Sequence, residues 1–459
     1  MGERTRLGLG VLGAALVLGG LGDALLRATP WGINFLLWVA VLVGMAVLLA
    51  KSGRVPLEGE GRWLVVVALI FAAGVVLRDS LVVVLLDVLA VMLALSLAVW
   101  RGRVGSLRDA GISHYVLGGI YAGALASAGP VPVSVTDIAW REVVRGRWKG
   151  QALAVSRGLL IAAPLVLVFG GLFVAADAVF ERLVLDVFGL ERARIFGHLF
   201  LILLFAWITA GLLWVALMAC APRNLEIGGP GRLSLGAIEV GIVLGLLDIL
   251  FLAFVVIQVR YLFGPSGRVI ATGLTYAEYA RRGFFELVTV AALALPLLLL
   301  FHWLLHAETR AHERWFRVLA GIMIGLLFVV MASALQRMYL YGQEFGLTEL
   351  RVYTTVFMFW ISVVLVLFVL TVLRGLRERF AFGALVAGFA AILAVNALNP
   401  DALIAHTNIE RARHGEELDA YYLTTLSADA APVLVEALPR IGNRRVGPDY
   451  TLEKALLDR

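Results

Sequence analysis

Long apolar runs separated by short polar stretches dominate this chain. The runs fall at 7–26, 31–50, 63–77, 81–100, 154–176, 196–220, 237–259, 284–306, 318–336, 354–373 and 380–398. A helix rising about 1.5 Å per residue needs about 20 residues to cross hydrocarbon about 30 Å thick, and most of these runs meet that length. Within lipid each span must satisfy its own backbone hydrogen bonds, which a helix does alone. The pattern predicts an all-α polytopic transmembrane helix bundle of about 11 spans. The third run is short, and Arg78-Asp79-Ser80 after it reads as a tight turn. The first run has the length of a secretory leader, yet Thr29-Pro30-Trp31 after it is not a small-residue cleavage site, so it reads as the first span.

Two stretches fit less simply. Ser113 to Val135 is apolar, but Pro130 and Pro132 disfavour a full crossing, and the expectation is an interfacial or re-entrant segment. Asp177 to Arg194 reads as a separate amphipathic helix with Val179, Leu183, Val187 and Leu190 on one stripe. After Leu398 the composition changes. Asn399-Pro400 is a helix-start pair, the helix it opens ends at Gly415, and a second runs from near Ser427 to Pro439. The predicted organisation is four N-terminal spans (1–100), a basic loop (101–153), a seven-helix membrane domain (154–398) and a small helical tail outside the membrane (399–459).

Composition supports the membrane reading: 16% of residues are charged, against about 25% in soluble domains. The net charge of +6 matters less than its placement. With the N-terminus inside, inner loops hold 21 Lys and Arg and outer loops 11, which favours a cytoplasmic N-terminus and an extracytoplasmic C-terminus. Seven basic residues between Arg101 and Lys149 form an apron suited to anionic lipid rather than nucleic acid. Cys220 is the single cysteine, so neither an intrachain disulfide nor a cysteine metal cluster can form. The phosphate-loop, nucleophile-elbow and dinucleotide patterns are absent, which argues against a built-in ATPase or serine hydrolase, and no cofactor is expected.

The candidate chemistry gathers at one predicted end of the bundle. In LTYAEYARRGFFEL (Leu274 to Leu287), Thr275 and Glu278 form a capping box, and Glu278, Arg282 and Glu286 follow at i, i+4 spacing. Glu286 already lies inside the apolar run. Tyr276 and Tyr279 add phenol rings, Gln258, Arg260 and Tyr261 end the seventh span on that side, and Gln336, Arg337, Tyr339, Tyr341, Gln343 and Glu344 follow the ninth. Asn396 and Asn399 close the eleventh. Such a mouth could be a helix elbow anchored at the headgroups, or it could grip a sugar, phosphate or peptide. Asp248 is the deepest acid, and Gly241, Gly245 and Asp248 share one helical face, so it is expected to face a neighbouring helix. The ninth span, with its own pair Gly321 and Gly325, is the predicted partner. Asp248 then reads as a protonated packing residue or a coupling site. Asp87 is a weaker second. His302 and His306 stand one turn apart but lack an evident third ligand, which leaves them weak metal candidates.

LTYAEYARRGFFEL, QVRYLFG (Gln258 to Gly264), NPDALIAHTNIERA (Asn399 to Ala412) and YLTTLSADAAPVLVEAL (Tyr422 to Leu438) resemble the bacterial membrane proteins of domain-of-unknown-function family 4173, related to family 4153. The resemblance covers about the last two-thirds of the chain, the first hundred residues carrying no comparable signature. It implies a multi-spanning bacterial inner-membrane protein without assigned activity or site residues. Three readings follow. The first is a non-enzymatic protein that binds or moves a small polar or lipid-linked ligand through the outer mouth, with a wet path from Glu286 and Arg337 toward Asp248. The second is a sensor or scaffold whose tail docks a protein partner in an exposed apolar groove. The third is a membrane enzyme on a lipid-linked envelope substrate, with a close acid pair near the mouth.

Overall fold

The computed structural model describes residues 2–55, 61–101, 123–140, 176–219, 234–262, 284–305, 309–376, 378–441, 445–447 and 450–451, with isolated positions between 115 and 173. The chain forms two compact units, 1–225 and 226–459. Among the described residues nine helices are long and apolar enough to cross a membrane, and Gly61–Leu77 is a shorter apolar helix. The protein is thus an all-α polytopic bundle. The predicted span at 154–176 lies almost entirely outside the described residues.

Unit 1 contains α1 (Glu3–Leu26), α2 (Ile33–Ser52), α3 (Gly61–Leu77), α4 (Leu81–Arg101) and α5 (Ala178–Leu217). The predicted amphipathic helix at 177–194 and the sixth span are one continuous helix, α5. Nothing between Arg192 and Gly197 breaks it: the stretch holds no proline, and one glycine costs a helix only about 1 kcal/mol. Packing of α1 against α5 is close because α1 turns a small-residue face inward. Gly19 lies against the Ile202 carbonyl and Ala206, and Gly22 against Phe205.

Residues 123–140, which take in the continuously described part (123–135) of the expected re-entrant stretch, form a helical turn, a bend at Gly129 and a π-helical turn, Val133–Asp137. Gly129 has φ +58, and a Cβ there would strike the Trp207 ring. The Trp207 indole donates to the Ser127 carbonyl (2.9 Å), and Gly211 abuts the Ala126 backbone. Trp207 lies ten residues before Leu217, the end of α5, so the bend reaches about 15 Å along that helix. The segment leaves beside the start of α1, where Ala139 N–H donates to the Thr5 hydroxyl (3.2 Å).

Unit 2 contains α6 (Ala237–Leu262), α7 (Phe284–Leu304), α8 (Arg310–Phe345), α9 (Glu349–Thr371) and α10 (Glu378–Leu398). At 36 residues, α8 overshoots its predicted span at both ends. Thr309 caps its start by accepting from His312 N–H, and Gly346 (φ +73) turns the chain at its end. The tail is α11 (Pro400–Arg413), α12 (Ala420–Thr425) and α13 (Ala431–Ile441), followed by a short antiparallel pair, β1 (Arg445–Gly447) and β2 (Tyr450–Thr451). As the sequence predicts, Asn399 caps α11 ahead of Pro400, its side chain accepting from Ala402 N–H. Contrary to the predicted stop, α13 continues through Pro439.

The pairing of α6 with α8 does not use the glycines. The buried stripe of α6 is Val240, Leu244, Asp248, Val255 and Gln258, and that of α8 includes Ala320, Met323, Leu327, Met331 and Ala334. Gly321 and Gly325 are exposed, and a Cβ at Gly241, Gly245, Gly321 or Gly325 would meet nothing within 4 Å. Side-chain volume rather than close backbone approach fills this seam. Gly321→Leu and Gly325→Leu are therefore expected to leave thermal stability unchanged or raise it by up to about 1 kcal/mol, the helix-propensity cost of a glycine; a clear loss in a detergent melting assay would place them at a packed interface.

Candidate functional site: the polar end of unit 2

The end of α8, the start of α9 and the end of α10 lie together, because three residues join α8 to α9 and the tail that follows α10 packs on the start of α9. The tail core shows this. Val352 of α9 is buried with Ile404, Ile409, Leu423, Leu426 and Leu434. Polar bonds then fix the seat. The Asn408 amide accepts from Leu347 N–H (2.8 Å) and donates to the Leu347 carbonyl (2.9 Å), holding both backbone groups of that residue. Arg411 donates to the Gln343 (3.0 Å) and Glu344 (2.6 Å) carbonyls, where the end of α8 leaves acceptors free and a cation is favoured. Arg351 donates to the Gly346 carbonyl and lies over the Tyr341 ring, 4.2 Å from its centre.

Beneath this lies an acid pair. Asp401 is fully buried and accepts from Ser427 N–H (3.1 Å) and the Ser427 hydroxyl. Glu349, the first residue of α9, stands close enough to Asp401 to interact with it electrostatically. Glu349 N–H donates to the Tyr422 hydroxyl (2.9 Å). Burial pushes that phenol above its ordinary range. A phenol raised in the folded state adds stability that is complete below its unfolded value, about 10, and is lost only as the pH climbs beyond it.

One step inward, the α6–α8 seam carries a second polar group. Arg337 donates to the Gln258 side-chain oxygen (2.8 Å), and the Ser333 hydroxyl donates to the same oxygen (3.1 Å). All three residues are buried. Ten residues back along α6 is Asp248, 7% exposed, with neither carboxylate oxygen hydrogen-bonded.

The residues expected at the mouth thus separate. Arg337 joins the seam, and Gln258 is its direct partner. Arg260 is in the last turn of α6. Tyr276, Glu278, Tyr279 and Arg282, with the capping box, lie outside the described residues. Glu286 lies inside the span, as its place in the apolar run suggested, but it is exposed rather than turned toward protein, in the first turn of α7 where the helix dipole favours an acid. Glu344 is exposed, and its contribution to the tail seat comes from its backbone. Asn396 is half-buried and donates to the Ile392 carbonyl (3.1 Å). His302 is half-buried against the Phe316 ring, and His306 is outside the described residues. Among the described residues no group of three His, Cys, Asp or Glu is placed to hold a metal ion.

Sequence reading overlooked two polar ties in unit 1. Asp23 of α1 meets His198 of α5 through Oδ2 and Nδ1 (2.6 Å), with Arg27 beside the imidazole. Asp137 accepts from Arg4 (2.6 Å) and from the Trp214 indole (2.7 Å). An acid inside the first apolar run, one turn before Arg27, was the available signal for the first tie. For the second there was none, since Arg4 and Asp137 are 133 positions apart.

The family described as Domain of unknown function (DUF4153) matches residues 64–437. The match takes in α3 and α4, so family character reaches into the first hundred residues, beyond the stretches that carry the visible motifs. No curated protein and no solved structure matches the chain.

Proposed function

The chain belongs to the DUF4153 family, and we propose that it is a non-enzymatic integral membrane protein that binds or moves a small polar or lipid-linked ligand through the polar end of unit 2. The observation that carries this reading is the buried group Arg337–Gln258–Ser333, with Asp248 deeper on the same helix pair. Polar side chains inside a bundle are costly to place, and they commonly mark a path or a binding site. The guanidinium suits an anionic group on the ligand. Tyr276, Glu278, Tyr279 and Arg282 belong to the proposed mouth on sequence grounds.

The proposed setting is a bacterial inner membrane, with the N-terminus cytoplasmic and the tail outside, and it rests on the Lys and Arg distribution. The narrower affinity with family 4173 rests on the four motif stretches, and anionic lipid at the 101–149 apron on its charge. An enzyme would need a reachable acid pair. The pair observed, Glu349 with Asp401, lies under the tail, and its full burial at Asp401 supports a structural role. For the scaffold reading, the apolar face of the tail is spent on its own core; Tyr421 and Val435 are its exposed large apolar side chains among the described residues.

Osmotic swelling of proteoliposomes tests the proposal, with a sugar, a neutral amino acid and inorganic phosphate as probes. At least one probe is expected to enter faster than into protein-free vesicles, and Arg337→Leu to slow it at least tenfold. Entry equal to protein-free vesicles for every probe would contradict transport and turn attention to the tail.

A further inference from the structure

Asp248 stands eleven residues into α6, about 17 Å along its axis, at mid-span. Its neighbours Leu246, Ile249 and Leu250 are exposed on the lipid-facing side, while Asp248 itself turns into the seam. On α6 the other titratable groups are at the ends: Glu239 at the start, Arg260 and Tyr261 in the last turn. On α8, the helix packed against it, no titratable residue occurs between Arg317 and Arg337. Both carboxylate oxygens lack hydrogen-bond partners. An ionised carboxylate so placed would be paid for neither by a cation nor by donors, so the neutral acid is the species that fits.

The surroundings also decide what the group can bind. A metal cation of the calcium or magnesium type needs about six oxygen ligands. The stripe of α8 offers Met323, Ile324, Leu327 and Met331. We infer that Asp248 is a membrane-buried proton-binding site, exchanging its proton along the seam toward Ser333, Gln258 and Arg337. This goes beyond ligand binding at the mouth and rests on that reading only for the route.

Dicyclohexylcarbodiimide, a membrane-soluble reagent for protonated carboxyls, tests it on the full chain in liposomes. The acid proton passes to a carbodiimide nitrogen while the carboxyl oxygen bonds to the central carbon, giving an O-acylisourea. Acyl transfer to nitrogen then yields a stable N-acylurea. Nothing leaves, so the peptide containing Asp248 gains the mass of one reagent molecule. Peptide mapping is expected to find that adduct at neutral pH, at least tenfold less of it at alkaline pH, and little from a water-soluble carbodiimide. Asp248→Asn, which keeps the shape of the neutral acid, is expected to fold with yield within twofold of wild type and to lose the adduct. No adduct on folded protein, equal labelling by the water-soluble reagent, or collapse of the Asn variant would each overturn the assignment. Swelling that fails while the adduct forms would remove the transport reading and leave the proton site standing.

Discussion

Gly19→Val is expected to remove most of the folded protein. A Cβ at Gly19 already collides with the Ile202 carbonyl and comes within 2.8 Å of Ala206, and valine adds two further methyl groups. The carbonyl belongs to helix backbone and cannot swing away, so α1 must leave α5. Overpacking typically costs about 1–3 kcal/mol, and contact against backbone falls at or above the top of that range. The monodisperse fraction in size-exclusion chromatography from mild detergent is expected to drop at least tenfold. Gly13→Val and Gly20→Val, where a Cβ meets nothing within 4 Å, serve as controls and are expected to behave as wild type. Equal loss in all three would point to a general intolerance of bulk along α1 rather than to the α1–α5 contact, since valine has the better helix propensity.

Asp401→Ala is expected to unseat the tail and leave the spans intact. The substitution strands Ser427 N–H and its hydroxyl and removes the acid from the first turn of α11. Hydrogen bonds to charged groups contribute about 1.5–3 kcal/mol each, so a loss of ~3 kcal/mol in docking follows. Hydrogen exchange across 400–441 is expected to accelerate at least a hundredfold, with α1 and α5 unchanged. Exchange confined to its wild-type rate would show that the apolar core around Leu423 and Leu434 holds the tail without Asp401.

Much of this architecture is legible in the sequence because hydrocarbon imposes one strong rule, length with apolarity. That rule places α1, α2, α4, α7, α9 and α10 within a few residues. It cannot show where a helix continues beyond the membrane, which is why α5 and α8 run longer than their apolar runs. Glycine pairs illustrate another limit. G-x-x-x-G spacing is the same on a packed face and on a lipid face, and Gly321 with Gly325 proves to lie on the latter, while the close approach falls to Gly19, Gly22 and Gly211. Asp248 stood out because a lone acid in an apolar run is conspicuous. Arg4 with Asp137, and Asp401 with Ser427, stayed hidden because each residue taken singly looks like an ordinary polar position. Their partners are supplied by the fold.

Cysteine accessibility tests the polar seam most directly. In a Cys220→Ala background, single cysteines at Arg337, Ser333, Asp248 and the lipid-facing Ile249 would be exposed, in intact cells, to a membrane-impermeant thiol reagent. Labelling that is rapid at 337, slower at 333, slowest at 248 and absent at 249 is the pattern expected of a wet seam opening outward at this end of unit 2. Silence at 337 and 333, with labelling of a cysteine placed at the exposed tail residue Tyr421, would contradict it, leaving a dry helix pair beneath a docked tail.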